Sequence, residues 1–299
     1  MFYVKVPATS ANLGPGFDSM GLAVSLYNYF KAEFSDSLEF ILEGSYTTNI
    51  AANKNNLLWK SACTLWKQIC FEPKPLKITI ESHIPPARGL GSSSTAVIGG
   101  LMIANAVAGY PLNRFELLKL ATSFEGHPDN VSPALYGGIT LTVMTANSVI
   151  PRVLSKKPKF KAVVVIPDFL VETEKARKIL PPVISRSDVI FNSSRVGLLV
   201  DCFINEEYEM LAIATQDKIH QNQRASLIPG MSEALDQAIK AGAYGAVLSG
   251  SGPTLLAFCP FGLEQNVAES MKRALANNFL QSGSLVLDID SEGAVITEQ

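Results

Sequence analysis

The amino-acid sequence predicts an α+β protein divided into two domains. Three observations carry this. The opening is strand-rich and gives way to helical spacing, periodicity lapses over 147–159, and the closing third reads helix–strand–strand–helix–strand. The 299 residues suffice for two ordinary domains, and with 47% apolar residues each can close a core. The lapse, with two prolines and four basic residues, sets an N-terminal domain at 1–155 and a C-terminal domain at 156–299.

In the first domain Phe2, Val4 and Val6 alternate as a strand. Residues 22–34, 38–42 and 76–80 continue the strand pattern. Residues 55–69 carry helical spacing, with Leu58, Cys63, Leu65, Trp66 and Ile69 on one broad apolar side. Helices follow over 94–108 and 113–124, where Asn113 is placed to cap. A short helix ends at Tyr136, and Gly137-Gly138 breaks into a strand over 139–143. In the second domain 160–166 reads as a buried strand, followed by helices over 172–180, 187–203 and 206–218. The ending places a helix at 231–241, strands at 245–249 and 254–258, a helix at 264–277 and a strand at 284–289. This is a small antiparallel α+β domain with helices inserted after its first strand.

Composition excludes several functions. Net charge is −2 and no basic block occurs, so nucleic acid has no electrostatic footing as a partner. The longest weakly polar run, 96–110, is too short to span a bilayer and holds Asn105, which argues against a membrane partner. The opening lacks the form of a signal peptide. Cys63, Cys70, Cys202 and Cys259 lie among apolar neighbours without metal-ligand spacing, and read as reduced core residues of a cytoplasmic protein.

Three glycine-rich segments bear on chemistry. In the first, Pro7 to Gly21, a tight turn interrupts strand-like sequence and presents Asn12 and Asp18. The second comprises Pro85, Pro86, Ala87, Arg88, Gly89, Leu90, Gly91, Ser92, Ser93, Ser94, Thr95 and Ala96, and runs directly into an apolar helix. Unpaired N–H groups and the positive dipole end attract anions to a helix N-terminus, and hydroxyls can cap it, bond phosphate or reach magnesium. It is neither a Walker A loop nor GxGxxG after a strand. By itself this segment reads equally as an anion site or a polar cap. The third, Gly245 to Thr254, is a glycine-rich turn between strands.

Together these segments resemble the signature motifs of the GHMP kinase superfamily, most closely its homoserine kinase branch. The resemblance rests on Pro7-Ala8-Thr9-Ser10-Ala11-Asn12-Leu13-Gly14-Pro15-Gly16-Phe17-Asp18, on Glu125-Gly126-His127-Pro128-Asp129-Asn130-Val131 and on His220-Gln221-Asn222-Gln223-Arg224. It spans Val6 to Phe258, with the motifs in the family's order. It implies an N-terminal α/β domain with a left-handed βαβ nucleotide site and a ferredoxin-like C-terminal domain. The implied reaction is phosphorylation of L-homoserine by ATP in threonine biosynthesis, and such enzymes are often homodimers. The second segment departs slightly from the commoner ending Gly-Ser-Ser-Ala-Ala, and its extra hydroxyls remain compatible with phosphate.

By that resemblance the ATP phosphates sit on Pro86 to Thr95, and Mg2+ takes Ser94 and Glu125. Asn56 is placed at the adenine edge, although a simple N-cap role fits it as well. Arg177 and Arg224 match the arginines that hold a substrate carboxylate, for which the guanidinium fork is suited. Asp18 matches a contact to the substrate's amino group or hydroxyl, and Asn12, His127 and Thr173 add polar contacts. Each has a plainer reading: Glu125 as a helix-end carboxylate, the arginines as surface residues, His127 as structural. His83 and His220 are assigned structural places. Where related kinases use a catalytic aspartate this chain has Asn130, which cannot act as a base. Asp129 lies beside it with its direction unreadable. The expectation is catalysis by Glu125, Asn130 and Arg177 through alignment and charge neutralisation, with late proton loss. The competing readings are a GHMP-type kinase of another small amino- or carboxy-alcohol, a catalytically silent nucleotide-binding protein on the same fold, and a non-enzymatic protein with capping loops.

Overall fold

The alternation at Phe2, Val4 and Val6 opens β1 (Phe2–Ala11), in a computed structural model that describes residues 1–298. The first glycine-rich segment is therefore strand as far as Ala11, not turn from Pro7. A register shift between Pro7 and Ala8 absorbs the proline, which has no N–H for the ladder. Strands β2 (Met20–Phe34), β3 (Glu39–Gly44), β4 (Leu76–Ser82) and β5 (Ile139–Met144) follow the expected pattern. β6 (Val149–Ser155) does not: it lies inside the stretch read as aperiodic and pairs antiparallel with β5. Pro151 and Arg152 mask its alternation, and an edge strand tolerates that proline.

A second sheet contains β7 (Lys161–Pro167), β8 (Gly245–Leu248), β9 (Leu255–Cys259) and β10 (Ser282–Leu287), in the antiparallel order β10-β7-β9-β8. The last strand, β11 (Val295–Glu298), leaves this sheet and pairs with β1. The first sheet thus runs β11-β1-β2-β4-β3, with β5 on β2 and β6 on β5. The sheets divide between Ser155 and Lys161, and the C-terminal strand ties them together.

The helices are α1 (Leu57–Gln68), α2 (Ser92–Val107), α3 (Arg114–Glu125), α4 (Val131–Tyr136), α5 (Thr173–Lys178), α6 (Arg186–Asn205), α7 (Leu211–Ala214), α8 (Gln221–Arg224), α9 (Met231–Lys240) and α10 (Glu264–Asn277). Asn113 caps α3 in a full capping box with Glu116. The helix expected over 206–218 is cut down to 208–214. Glu206 turns left-handed to end α6, one 3-10 turn and the four-residue α7 follow, and Asp217 accepts the N–H groups of Ile219, His220 and Gln221. An aspartate that gathers backbone donors competes with helical hydrogen bonding.

Three cores follow from strand alternation. α1 and α2 cover one face of the first sheet, where Leu58, Trp66, Ile98 and Leu101 meet Val4, Val6, Phe30 and Ile78. Between the sheets, Leu22 and Val24 of β2 meet Phe160, Val164, Phe203 and Phe258. Val163 and Val165 point the other way, onto α9 and α10. β7 is buried on both faces and reads as a continuous apolar run. Each such side chain contributes roughly 1.5–3 kcal/mol by leaving water, so the intersheet core fixes the angle at which the motif loops meet. Cys202 and Cys259 are buried, whereas Cys63 is half-buried and Cys70 exposed, contrary to the core reading of all four. All four are free thiols.

Candidate active site

The loops that end β1, β4 and β8 converge on a cleft of about 600 Å³ between the sheets. At one end lies the N-terminus of α2. Gly91 is its N-cap at φ 67°, and a Cβ there would sit 2.0 Å from Thr9 Oγ1, so only glycine fits. Having no side chain, Gly91 leaves the first-turn N–H groups of a 16-residue helix without a side-chain cap. Pro86, Ala87, Gly89, Leu90, Ser92 and Ser93 line the cleft here. The loop is pinned from behind, where Ser249 Oγ donates to Gly89 O at 2.6 Å and Thr9 N to Leu90 O at 3.1 Å.

Two members of the expected phosphate segment face elsewhere. Thr95 Oγ1 donates to Ser92 O and accepts from Asn28 Nδ2, both at 2.8 Å, which draws it into the core. The Arg88 side chain leaves the cleft for Pro167 O and Asp168 across the intersheet seam. Asn56 lines the cleft but is bound as the cap of α1: Oδ1 accepts from Leu58 N at 3.0 Å and Nδ2 donates to Ala51 O at 2.7 Å. Around it Phe30, Ile50, Leu57 and Ile80 give the cleft an apolar wall.

Glu125 closes α3 and borders the donor end, with Ser94 Oγ 3.4 Å from its Oε2. Burial raises its pKa above the carboxylate norm, partly opposed by His127 and the bond from Ser94. The negative end of the α3 dipole is a further cost for an anion. A cation would relieve both penalties. Ser94 and Glu125 offer the hard oxygen donors that would hold Mg2+ here.

The other end of the cleft is charged. Arg177 of α5 donates two hydrogen bonds to Asp18, Nη1 to Oδ2 at 2.9 Å and Nη2 to Oδ1 at 2.6 Å. Arg224 is buried, not on the surface. Its Nε donates to Ala176 O at 3.2 Å and its Nη1 to Gly250 O at 3.0 Å. Burial and the nearby Arg177 charge lower its pKa to about 10. The Phe17 ring lies behind both guanidinium groups, 5.6 Å from Arg177 and 5.3 Å from Arg224, and stacks on His220 at 4.9 Å. His220 is itself buried against Gly14 O. Asn12 braces the same corner: Oδ1 accepts the Asp18 N–H and Nδ2 donates to Gly250 O. Thr173 Oγ1 lies 3.3 Å from Ser251 Oγ at the rim. His83 bonds Glu81 and lies outside the cleft.

The loop after Glu125 joins the two ends. His127 Nδ1 meets Asp129 Oδ1 at 2.5 Å, and the same oxygen accepts the Asn130 N–H. Burial alone would depress the His127 pKa, but the hydrogen bond and charge of Asp129 raise it. Asn130 Oδ1 accepts from Thr9 Oγ1 at 2.8 Å. Asp129 is only 2% exposed yet borders the cleft, and together with Asp18 and His127 it gathers ligand atoms within 4.8 Å of one another.

Residues 56–138 match the family model for the GHMP kinases N terminal domain, and 203–278 that for GHMP kinases C terminal. A homoserine kinase from Desulfitobacterium hafniense is 49% identical over 296 residues, covering 99% of this chain and 100% of its own. The chain belongs to the homoserine kinase family of the GHMP kinases. Another homoserine kinase, from Synechocystis, is 42% identical over 99% of this chain and 98% of its own. Among solved structures, the homoserine kinase of Cytophaga hutchinsonii superposes with a TM-score of 0.89 at 27% identity, covering 99% of this chain and 97% of that one. Mevalonate kinase from L. major shares the fold at a TM-score of 0.71 and 14% identity, over 96% and 95% of the two chains. The two-domain α+β GHMP kinase fold and kinase activity follow from this membership.

Within this family frame, sequence reasoning left two groups unassigned. Gly250 and Ser251 of the third segment line the cleft, and Gly250 O takes both Asn12 and Arg224. Read alone, that segment had only the signature of a flexible hairpin. Asp129 was visible as an acid inside a motif, but its inward direction depends on the close approach of β2.

Proposed function

We propose that the chain transfers the terminal phosphoryl group of ATP to the side-chain hydroxyl of L-homoserine, giving ADP and O-phospho-L-homoserine. One observation carries the reading: a single cleft joins an uncapped helix N-terminus to a corner with two arginines and two carboxylates. The first suits the phosphates of ATP. The second suits an acceptor bearing one carboxylate and one ammonium.

On this reading Pro86 to Ser93 hold the phosphates through backbone N–H groups and hydroxyls. Ser94 and Glu125 hold Mg2+, whose role is to neutralise charge on the transferring group. Arg177 and Arg224 bind the substrate carboxylate. Asp18 takes the ammonium with Asp129 close by, and Asn12, Thr173 and His127 fix the surrounding polar frame. The apolar wall by Asn56 receives the nucleoside. Asn130 cannot take a proton, and Asp129 Oδ1 is already held by His127 and a backbone N–H. On this reading alignment and charge neutralisation carry the rate, with the hydroxyl proton leaving late, to phosphate or water. The setting is threonine biosynthesis in the cytoplasm.

The test is ADP release with ATP and Mg2+ over a panel of homoserine, mevalonate, shikimate and simple sugars. Robust turnover with homoserine and little with the rest is expected. Turnover of only a non-amino-acid, or ATP binding without transfer to any of them, would overturn the assignment.

A further inference from the structure

In this structure Asp18 and Arg177, the groups assigned to opposite charges of the acceptor, bind each other. The pair is bidentate, at 2.6 and 2.9 Å. The two side chains are 33% and 37% exposed, so the pair opens onto the cleft and can be broken without unfolding. Neither partner is free to wander. Asp18 has a left-handed backbone (φ 55°), and its N–H is held by Asn12 Oδ1. Arg177 lies over the Phe17 ring, with Ala176 of the same helix tied to Arg224. Among the described residues Arg224 bonds no carboxylate, only the carbonyls of Ala176 and Gly250, with a long contact to His220 Nδ1.

We infer that the Asp18–Arg177 pair is an exchangeable lock that selects zwitterionic acceptors. The inference rests on the homoserine reading given above. A zwitterion replaces both halves of the pair in one event: its carboxylate takes the place of Asp18 on Arg177, and its ammonium takes the place of Arg177 on Asp18. Two charge-assisted pairs then stand where one stood, and no charge is left without a partner. An acceptor with only one charge that engages Arg177 or Asp18 must break the same pair and strands the other half. A carboxylate alone leaves Asp18 unpaired near Asp129, and an ammonium alone leaves Arg177 unpaired beside Arg224. Losing one partner of a partly buried charged pair costs more than the pair itself contributes. The lock therefore makes the two recognition events interdependent. Independent contacts would instead add, charge by charge.

The test uses three truncated ligands as competitive inhibitors of homoserine turnover: 4-hydroxybutanoate, 3-aminopropan-1-ol and propan-1-ol. In the unmodified enzyme the two singly charged compounds should bind no better than the neutral alcohol, while homoserine binds far better than all three. If each single charge tightens binding by tenfold or more over propan-1-ol, the lock is refuted. The Asp18→Asn variant supplies the second arm. It should weaken homoserine by about 10- to 100-fold, the scale of a lost hydrogen bond to a charged group. At the same time it should strengthen 4-hydroxybutanoate severalfold, because Arg177 is released from its carboxylate. Loss of affinity for both ligands alike would assign Asp18 a plain contact or structural role and overturn the exchange. Failure of the unmodified enzyme to turn over homoserine would overturn the underlying reading instead, so the two failures are distinguishable.

Discussion

Replacing Gly21 with alanine probes how the fold aims the Asp129 loop at the cleft. Gly21 lies in β2, paired with Ala11 on one side and Thr140 on the other. Its backbone torsion needs no glycine, since it is not among the positive-φ residues. Space is the constraint. A Cβ at Gly21 would stand 1.8 Å from Asp129 O and 2.8 Å from Pro133 Cγ. Restoring ordinary contact requires the Asp129 backbone, or the strand, to retreat by roughly 1.5 Å. The strand is clamped by two neighbours, so the 127–130 loop moves, carrying the Asp129–His127 bond and the Asn130–Thr9 bond with it. Overpacking of this kind costs about 1–3 kcal/mol in stability. A misplacement of about 1 Å at a reacting centre costs about 100-fold in rate. Gly21→Ala should therefore lower kcat/KM for homoserine about 100-fold and lower Tm by several degrees, while nucleotide affinity changes little because 86–93 is pinned separately. Steady-state kinetics, thermal unfolding and nucleotide titration read the three quantities. A folded variant with kcat/KM within threefold of the parent would refute the claim that β2 sets the loop.

Three further outcomes follow from the site. Glu125→Gln should lower kcat about 100-fold or more and raise the Mg2+ concentration needed for half-maximal rate. Its Tm should hold or rise, because burial opposes the carboxylate charge, and an unchanged Mg2+ titration would remove Glu125 from the metal. Phe17→Leu should raise the homoserine KM about 3- to 30-fold through lost contact with both guanidinium groups, leaving the ATP KM as it was; equal changes in both would indicate general loosening. With a thiol reagent near pH 8, Cys70 should label first and Cys63 more slowly. Cys202 and Cys259, buried and pushed up to about 11, should label only on unfolding, so rapid labelling of all four in the folded protein would contradict the packing.

Local chemistry was readable where it was self-contained. Asn113 and Glu116 form their capping box from sequence-adjacent groups, and β7 shows its double burial as an unbroken apolar run. Most of the motif residues line one cleft. Legibility stopped where a partner lies far along the chain. β6 is stabilised by β5 despite Pro151, and β11 finds β1 nearly 300 residues away. The helix expected over 206–218 shrinks to 208–214, bounded by the left-handed turn at Glu206 and by Asp217, which gathers the N–H groups that open α8. The Asp18–Arg177 pair was hidden in the same way. Each residue was recognisable as a recognition group, but their separation of 159 positions concealed that they satisfy one another. Thr95 and Arg88 belong to the phosphate segment in sequence, yet Asn28 and Asp168 draw their side chains elsewhere.

The most direct test of the donor-and-acceptor cleft is a crystal structure with a non-hydrolysable ATP analogue, Mg2+ and homoserine bound together. The phosphates should lie over residues 86–93 and the metal on Ser94 and Glu125. The homoserine carboxylate should sit on Arg177 and Arg224, with its hydroxyl facing the terminal phosphate and Asp18 parted from Arg177. Nucleotide bound away from the α2 N-terminus, or homoserine seated with its carboxylate away from both arginines, would contradict it.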